Sequence, residues 1–216
     1  NSGIVGDFYR KIKPNVHALV LPSERMKRNI ADSWNGKTYI IPEPVEIDFI
    51  KPGNRQLQES TALWFGHITN LGWMLEFMSS GLHQAPPKHL IILVNNHPEA
   101  AVKEAAKKAP KGMKISLAKW SLKTMIEAAK ISHYVLIPSN KDDPRKSGVS
   151  PGRLLTSLAM GLPVVASPLD SYMPFKDFFS IIGTEEGLET MKNPLNQNDK
   201  ILKAQELIKQ KYTVEA

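Results

Sequence analysis

At 216 residues the chain is long enough for one large domain or a domain with an extension. Hydrophobic residues make up 42% and charged residues 23%, ordinary for a soluble globular protein, and no apolar run approaches the ~20 residues of a membrane span. Cysteine is absent, which excludes disulfides, zinc-thiolate sites and thiol nucleophiles; a net charge of +7 favours anionic partners, whether nucleotide phosphates, nucleic acid or an anionic membrane surface.

The first residues, NSGIVGDFYRKIKPN, carry neither an initiator Met nor an apolar signal core, so the chain reads as cut from something longer. Residues 8–13 predict a short helix stopped by Pro14. Residues 17–22 (HALVLP) read as a strand, and Ser23 caps a helix with Met26, Ile30 and Trp34 at helical spacing, ended by Gly36. Residues 37–42 (KTYIIP) are the next strand. Pro42, Pro44 and Pro52 then mark an irregular crossover segment through Gly53.

From residue 61 strands and helices alternate. Residues 61–66 (TALWFG) form a strand ending in Gly, and 71–78 a helix with Leu71, Met74, Leu75 and Met78 on one face. Residues 89–94 (HLIILV) are apolar throughout, as in a sheet covered on both faces. A helix over 98–108, a strand over 113–118 and a helix from its cap Ser121 to 129 follow, the last burying Leu122, Met125, Ile126 and Ala129. A short helix over 169–177, a strand over 179–182 and helices over 185–191 and 199–211 complete the chain. The final helix is amphipathic through Ile201, Leu202, Leu207 and Ile208. No low-complexity tract or short repeat is present.

The stretch from 134 to 167, YVLIPSNKDDPRKSGVSPGRLLTSLAMGLPVVAS, reads as strand, charged loop, helix, Gly-Leu-Pro, strand. Ser150-Pro151 fits an N-cap followed by Pro at the first helical position, and Gly161 the left-handed residue past the helix end. Two apolar strands joined through a helix are parallel. The whole pattern predicts an α/β fold, a Rossmann-like doubly wound parallel sheet with helices on both faces. Ligands of such sheets bind beyond the carboxyl ends of the strands, at the switch point.

Four loops follow strand ends: 66–70, 95–97, 119–121 and 140–153. At the last, a helix N-terminus offers unpaired N–H groups and a positive dipole end. Lys146 stands before it and Arg153 in its first turn, with Ser150, Gly148 and Gly152 beside them. This is either a diphosphate cradle or a surface loop with solvated Lys and Arg. Gly66 and His67 offer close backbone approach to a phosphate or sugar, or only a turn. Trp120, between Lys119 and Ser121, either stacks on a base or packs under its loop. Asp142-Asp143, flanked by Lys141, Arg145 and Lys146, reads as self-neutralising charge ahead of a metal site. The Lys-rich run from 103 to 123 reads as a solvated face, with attachment to an anionic membrane surface as the alternative. No nucleic-acid-reading motif is present, so nucleic acid is not expected as a partner.

Three stretches together resemble the C-terminal, donor-binding domain of GT-B glycosyltransferases such as glycogen synthase and the lipopolysaccharide and capsule sugar transferases. They are HALVLPSERMKRNIADSWNGKTYIIPEPVEIDF, ALWFGHITN, and SLKTMIEAAKISHYVLIPS running into RLLTSLAMGLPVVAS. The resemblance spans about residues 15–180 and is most specific at AMGLPVVA. It implies three parts: residues 1–14 as the remnant of, or linker from, an N-terminal acceptor domain; 15–55 as opening strands and crossover; and 56–216 as the nucleotide-sugar-binding domain. It implies that Lys146 and Arg153 are catalytic, neutralising the departing nucleoside diphosphate. The base would lie near Lys119, Trp120 and Ser121. The diphosphate would lie near Gly66, His67 and the helix after Ser150, with Gly152 and Leu154 among the substrate-binding positions.

The activity so implied is transfer of a sugar from a nucleotide sugar to a glycan or lipid acceptor, without metal or other cofactor. Its setting would be the cytoplasm or the inner face of the membrane. Many relatives carry two glutamates with seven residues between them; the corresponding positions here are near Gly148 and at Thr156. A nucleotide-sugar epimerase and a non-catalytic binding or scaffolding domain of the same fold stand as rivals.

Overall fold

A computed structural model of the chain describes residues 11, 13–53, 60–96, 98–143, 146 and 148–214. The expected helix over 8–13 falls almost wholly outside them.

Among the described residues two sheets form, both parallel. β1 (Ala18–Leu21) pairs with β2 (Lys37–Ile40) across helix α1 (Glu24–Ile30). Six strands make the main sheet: β3 (Thr61–Gly66), β4 (His89–Val94), β5 (Lys114–Lys119), β6 (Tyr134–Ile137), β7 (Val164–Ala166) and β8 (Ser180–Ile181), in spatial order β5-β4-β3-β6-β7-β8. The helices of this part are α2 (Leu71–Ser80), α3 (Glu99–Ala106), α4 (Leu122–Lys130), α5 (Gly152–Ala159), α6 (Glu185–Lys192) and α7 (Asn198–Lys211). From β3 the chain winds outward to β5, then returns to β6 on the other side of β3. The switch point therefore lies between β3 and β6, as expected of a doubly wound sheet.

The period-2 geometry of a strand divides the sheet's apolar residues between two cores. Leu63, Phe65, Ile91, Leu93, Val135, Ile137, Val164 and Ala166 face α4, α5 and α7. Ala62, Trp64, Leu90, Ile92, Val94, Tyr134, Leu136 and Val165 face α2 and α3. Both faces being covered, β3 and β4 need uninterrupted apolar sequence, and their observed bounds are those read from it.

Several details differ from expectation. α1 stops at Ile30, and Trp34 lies beyond it with its indole N–H donating to the Lys37 carbonyl at 3.3 Å. Residues 169–177 yield only a 3₁₀ segment, Met173–Phe178, with Pro174 in its first turn. α4 is capped by Ser121 as expected, yet Leu122 in its first turn is 47% exposed, and Met125, Ala128 and Ala129 are its buried residues. In α7, Leu202 is exposed while Gln205 is buried. The Gln205 side-chain amide donates to the carbonyls of Ile50, Leu158 and Ala159 at 2.8, 3.0 and 3.1 Å, which is why a polar residue is kept inside.

α5 begins one residue later than the Ser-Pro signature suggests. Pro151 occupies the cap position, and Ser150 Oγ accepts from the Gly152 N–H at 3.1 Å. Gly161 has φ +70°, and a Cβ there would stand 2.3 Å from the Ile50 carbonyl oxygen. Only glycine lets the connector over residues 41–53 pass this close.

Candidate functional site

The connector crosses the end of α5 and is pinned twice: the Val45 N–H donates to the Tyr212 carbonyl at 2.6 Å and the Ile50 N–H to the Ala159 carbonyl at 2.9 Å. Held there, it forms one lip of a cleft of about 900 Å³ at the carboxyl ends of the strands. The other walls come from the end of β3, the loop after β6 and the first turns of α4 and α5. Gly66, His67, Trp120, Lys146, Ser150, Gly152 and Arg153, all anticipated in the sequence, line this cleft together.

Arg153 is placed by α5 to reach back over β3. Its Nη1 donates to the Phe65 carbonyl at 3.1 Å, and the guanidinium carbon lies 5.9 Å from the centroid of the Trp64 ring. The cation thus sits at the switch point, partly desolvated, where its attraction for an anion is stronger than in water. A Cβ on Gly66 would stand 2.8 Å from Arg153 Nη1, so β3 has to end in glycine for the guanidinium to occupy this position. Lys146 comes from the opposite loop, and its ammonium donates to Asn70 Oδ1 at the start of α2. Two cations from the α5 side therefore both bridge to the β3 side of the crevice.

Around them are the oriented dipoles of the strand ends. His67 Nδ1 accepts from the Thr69 N–H at 3.3 Å and caps the 3₁₀ turn Ile68–Asn70. Asn95 Oδ1 accepts from the Ile68 N–H at 2.9 Å, tying the β3 and β4 loops together. Ser139, just past β6, donates its N–H to Ser167 Oγ at 2.8 Å, while its own hydroxyl is buried with no partner among the described residues. A hydroxyl can both donate and accept, so Ser139 keeps unused hydrogen-bonding capacity beside the cleft.

Trp120 continues the ladder beyond β5 through its N–H to the Val94 carbonyl at 2.9 Å, and its ring, 43% exposed, forms part of the cleft wall. Its neighbours are placed differently. Lys119 and Ser121 are not among the lining residues; the Ser121 hydroxyl accepts from the Thr124 N–H at 3.1 Å in a capping box. Leu154 is also off the cleft, fully buried against the sheet. Asp142 pairs with Lys141 at 2.7 Å, the self-neutralising arrangement expected of that loop. Among the described residues no group of three or more His, Asp or Glu side chains is placed to hold a metal ion.

Sequence reasoning missed Ser139, Leu169 and Tyr172 and, on the connector, Glu43, Pro44, Glu46 and Ile47, all of which line the cleft. Glu43 Oε2 lies 3.3 Å from where a Cβ on Gly152 would be, beside the first turn of α5. The only sequence signal for the connector residues was the Pro-rich crossover itself. Thr156, at the position where the resemblance implies a carboxylate, faces the cleft as well.

No protein-family model and no curated protein sequence matches the chain. Solved structures do. TarM of S. aureus superposes with TM-score 0.72 at 12% identity, over 97% of this chain and 43% of that one. A glycosyltransferase from Rickettsia africae ESF-5 gives 0.69 at 12% identity, over 99% of this chain and 64% of that one. Anabaena Alr3699/HepE, solved in complex with UDP, gives 0.62 at 14% identity, over 93% and 61%. The chain thus spans between 43% and 64% of the length of these structures.

Proposed function

We propose, from a chain whose fold is that of one half of the GT-B glycosyltransferases, that it binds the nucleotide-sugar donor of a glycosyl transfer to a glycan or lipid acceptor. The observation that carries this reading is the convergence of Arg153 and Lys146 on the switch-point cleft, beside a glycine-ended strand and the first turn of α5. Breaking the bond between the anomeric carbon and the diphosphate oxygen leaves negative charge on the departing nucleoside diphosphate. Fixed cations and backbone N–H groups already oriented toward that oxygen stabilise it without reorganising, which lowers the barrier. In this reading the cations meet the charge, and no metal is invoked.

The remaining polar groups suit the sugar-bearing parts of such a donor. Hydroxyl groups need acceptors. Asn70 and Asn95 have their carbonyl oxygens engaged within the protein, whereas Glu43 and Glu46 present carboxylates at the lip. The Trp120 ring offers a flat apolar surface for a base.

The test uses the full-length protein, a panel of UDP-, GDP- and ADP-sugars, and the Arg153→Ala variant. Turnover should fall by about a hundredfold to a thousandfold, roughly 2.7–4 kcal/mol of transition-state stabilisation. Unchanged turnover in that variant would refute the role given to Arg153. A second reading, a binding domain without catalysis, is favoured by Thr156 standing where a carboxylate is implied. Calorimetric binding of a nucleotide sugar with no turnover toward any acceptor would select it.

A further inference from the structure

The net charge of +7 is concentrated in one place. Between residues 103 and 123 there are seven lysines and one glutamate, a net +6, so the rest of the chain together carries only +1. These residues run from the end of α3 through the turn into β5 and on to the first turn of α4, along the outer edge of the main sheet. All seven lysines are exposed. The one acid of the run, Glu104, pairs with Lys107 at 2.5 Å. Lys88 extends the field across the neighbouring strand, since its carbonyl accepts the Lys114 N–H at 2.8 Å and it too is exposed.

Lysines on an edge strand deter strand addition, which accounts for Lys114 and Lys119. It does not account for Lys103, Lys107, Lys108 and Lys111, which lie on a helix and a turn. We propose that this edge is an electrostatic docking surface for an anionic lipid bilayer. The chemistry favours lipid over nucleic acid. The run contains no arginine, and arginine is the residue that reads phosphates and bases by bidentate geometry, whereas lysine acts as a point charge on a flexible stem. Two large apolar side chains, Trp120 at 43% and Leu122 at 47% exposure, flank the lysines at one end, as amphipathic rings and apolar chains do at headgroup level. Both also line the cleft, so the docked edge brings the cleft mouth to the lipid.

The experiment is co-sedimentation of the full chain with vesicles of phosphatidylcholine alone and of phosphatidylcholine containing about 30 mol% phosphatidylglycerol, a composition that supplies the negative surface potential. Binding is expected only to the anionic vesicles, and should weaken steeply as salt shortens the Debye length. The triple variant Lys107→Gln, Lys108→Gln, Lys111→Gln, which touches no cleft residue, should lower the partition coefficient about a hundredfold, each lysine near an anionic surface being worth about fivefold. A second triple variant of lysines elsewhere, Lys176→Gln, Lys192→Gln, Lys209→Gln, should leave it nearly unchanged. No binding to the anionic vesicles, equal loss in both variants, or tighter binding to single-stranded RNA than to vesicles would overturn the proposal.

Discussion

The two sheets are built from similar sequence and end in opposite environments. HALVLP is as apolar as TALWFG and KTYIIP nearly so, yet Val20, Tyr39 and Ile41 are 61%, 53% and 59% exposed, while Ala62, Leu63 and Trp64 are fully buried. Val20 and Tyr39 are register partners, so their side chains form one continuous uncovered patch. β3 has a strand on each side and helices over both faces; β1 and β2 have each other and α1. Hydrophobic sequence proposes a buried strand, but burial is conferred by what else the chain brings to its faces.

That contrast can be broken experimentally. Leu63→Ala in β3 should cost about 3–5 kcal/mol, the price of a cavity in a close-packed core, measured by chemical denaturation. Tyr134→Phe acts in the opposite direction. The phenol is buried in β6 with no partner for its hydroxyl among the described residues, and burial holds its pKa above the usual tyrosine value. Removing the unpaired group should raise stability by about 1 kcal/mol. Val20→Ser in β1 should change stability by less than about 0.5 kcal/mol, as substitutions on exposed surface do. A loss in Val20→Ser comparable to that of Leu63→Ala would mean that the two sheets form one cooperative core and that the patch is covered in solution.

The parts of the molecule that were legible beforehand are those governed by local rules. β3 and β4 matched to the residue because a strand buried on both faces must be apolar throughout. Lys146, Arg153, Gly66 and Trp120 were found because a doubly wound sheet collects its loops at one end. Leu122 and Leu202 were misjudged because helical spacing says which residues share a face, not how far the neighbouring surface extends over it. Glu43 and Glu46 had no signal beyond the Pro-rich crossover that carries them. The connector has no periodicity, and its position is set by the Tyr212 carbonyl, the Ala159 carbonyl and Gln205, all more than a hundred residues away in sequence. Lys119, Ser121 and Leu154 show the converse: adjacency in sequence to a cleft residue does not bring a side chain into the cleft.

The fastening of the connector has a consequence for how the chain has to be handled. One lip of the crevice is stitched down by α7 and the turn after it, through Gln205 and the Tyr212 carbonyl. Gln205 lies in α7 and Tyr212 just past it, so the crevice takes its shape only once that helix has packed against the sheet. Removing α7 and the turn after it would leave the acidic lip held by the Ile50–Ala159 bond and would strip Ile201, Ala204 and Ile208 from the core, so crevice and sheet would be disturbed together.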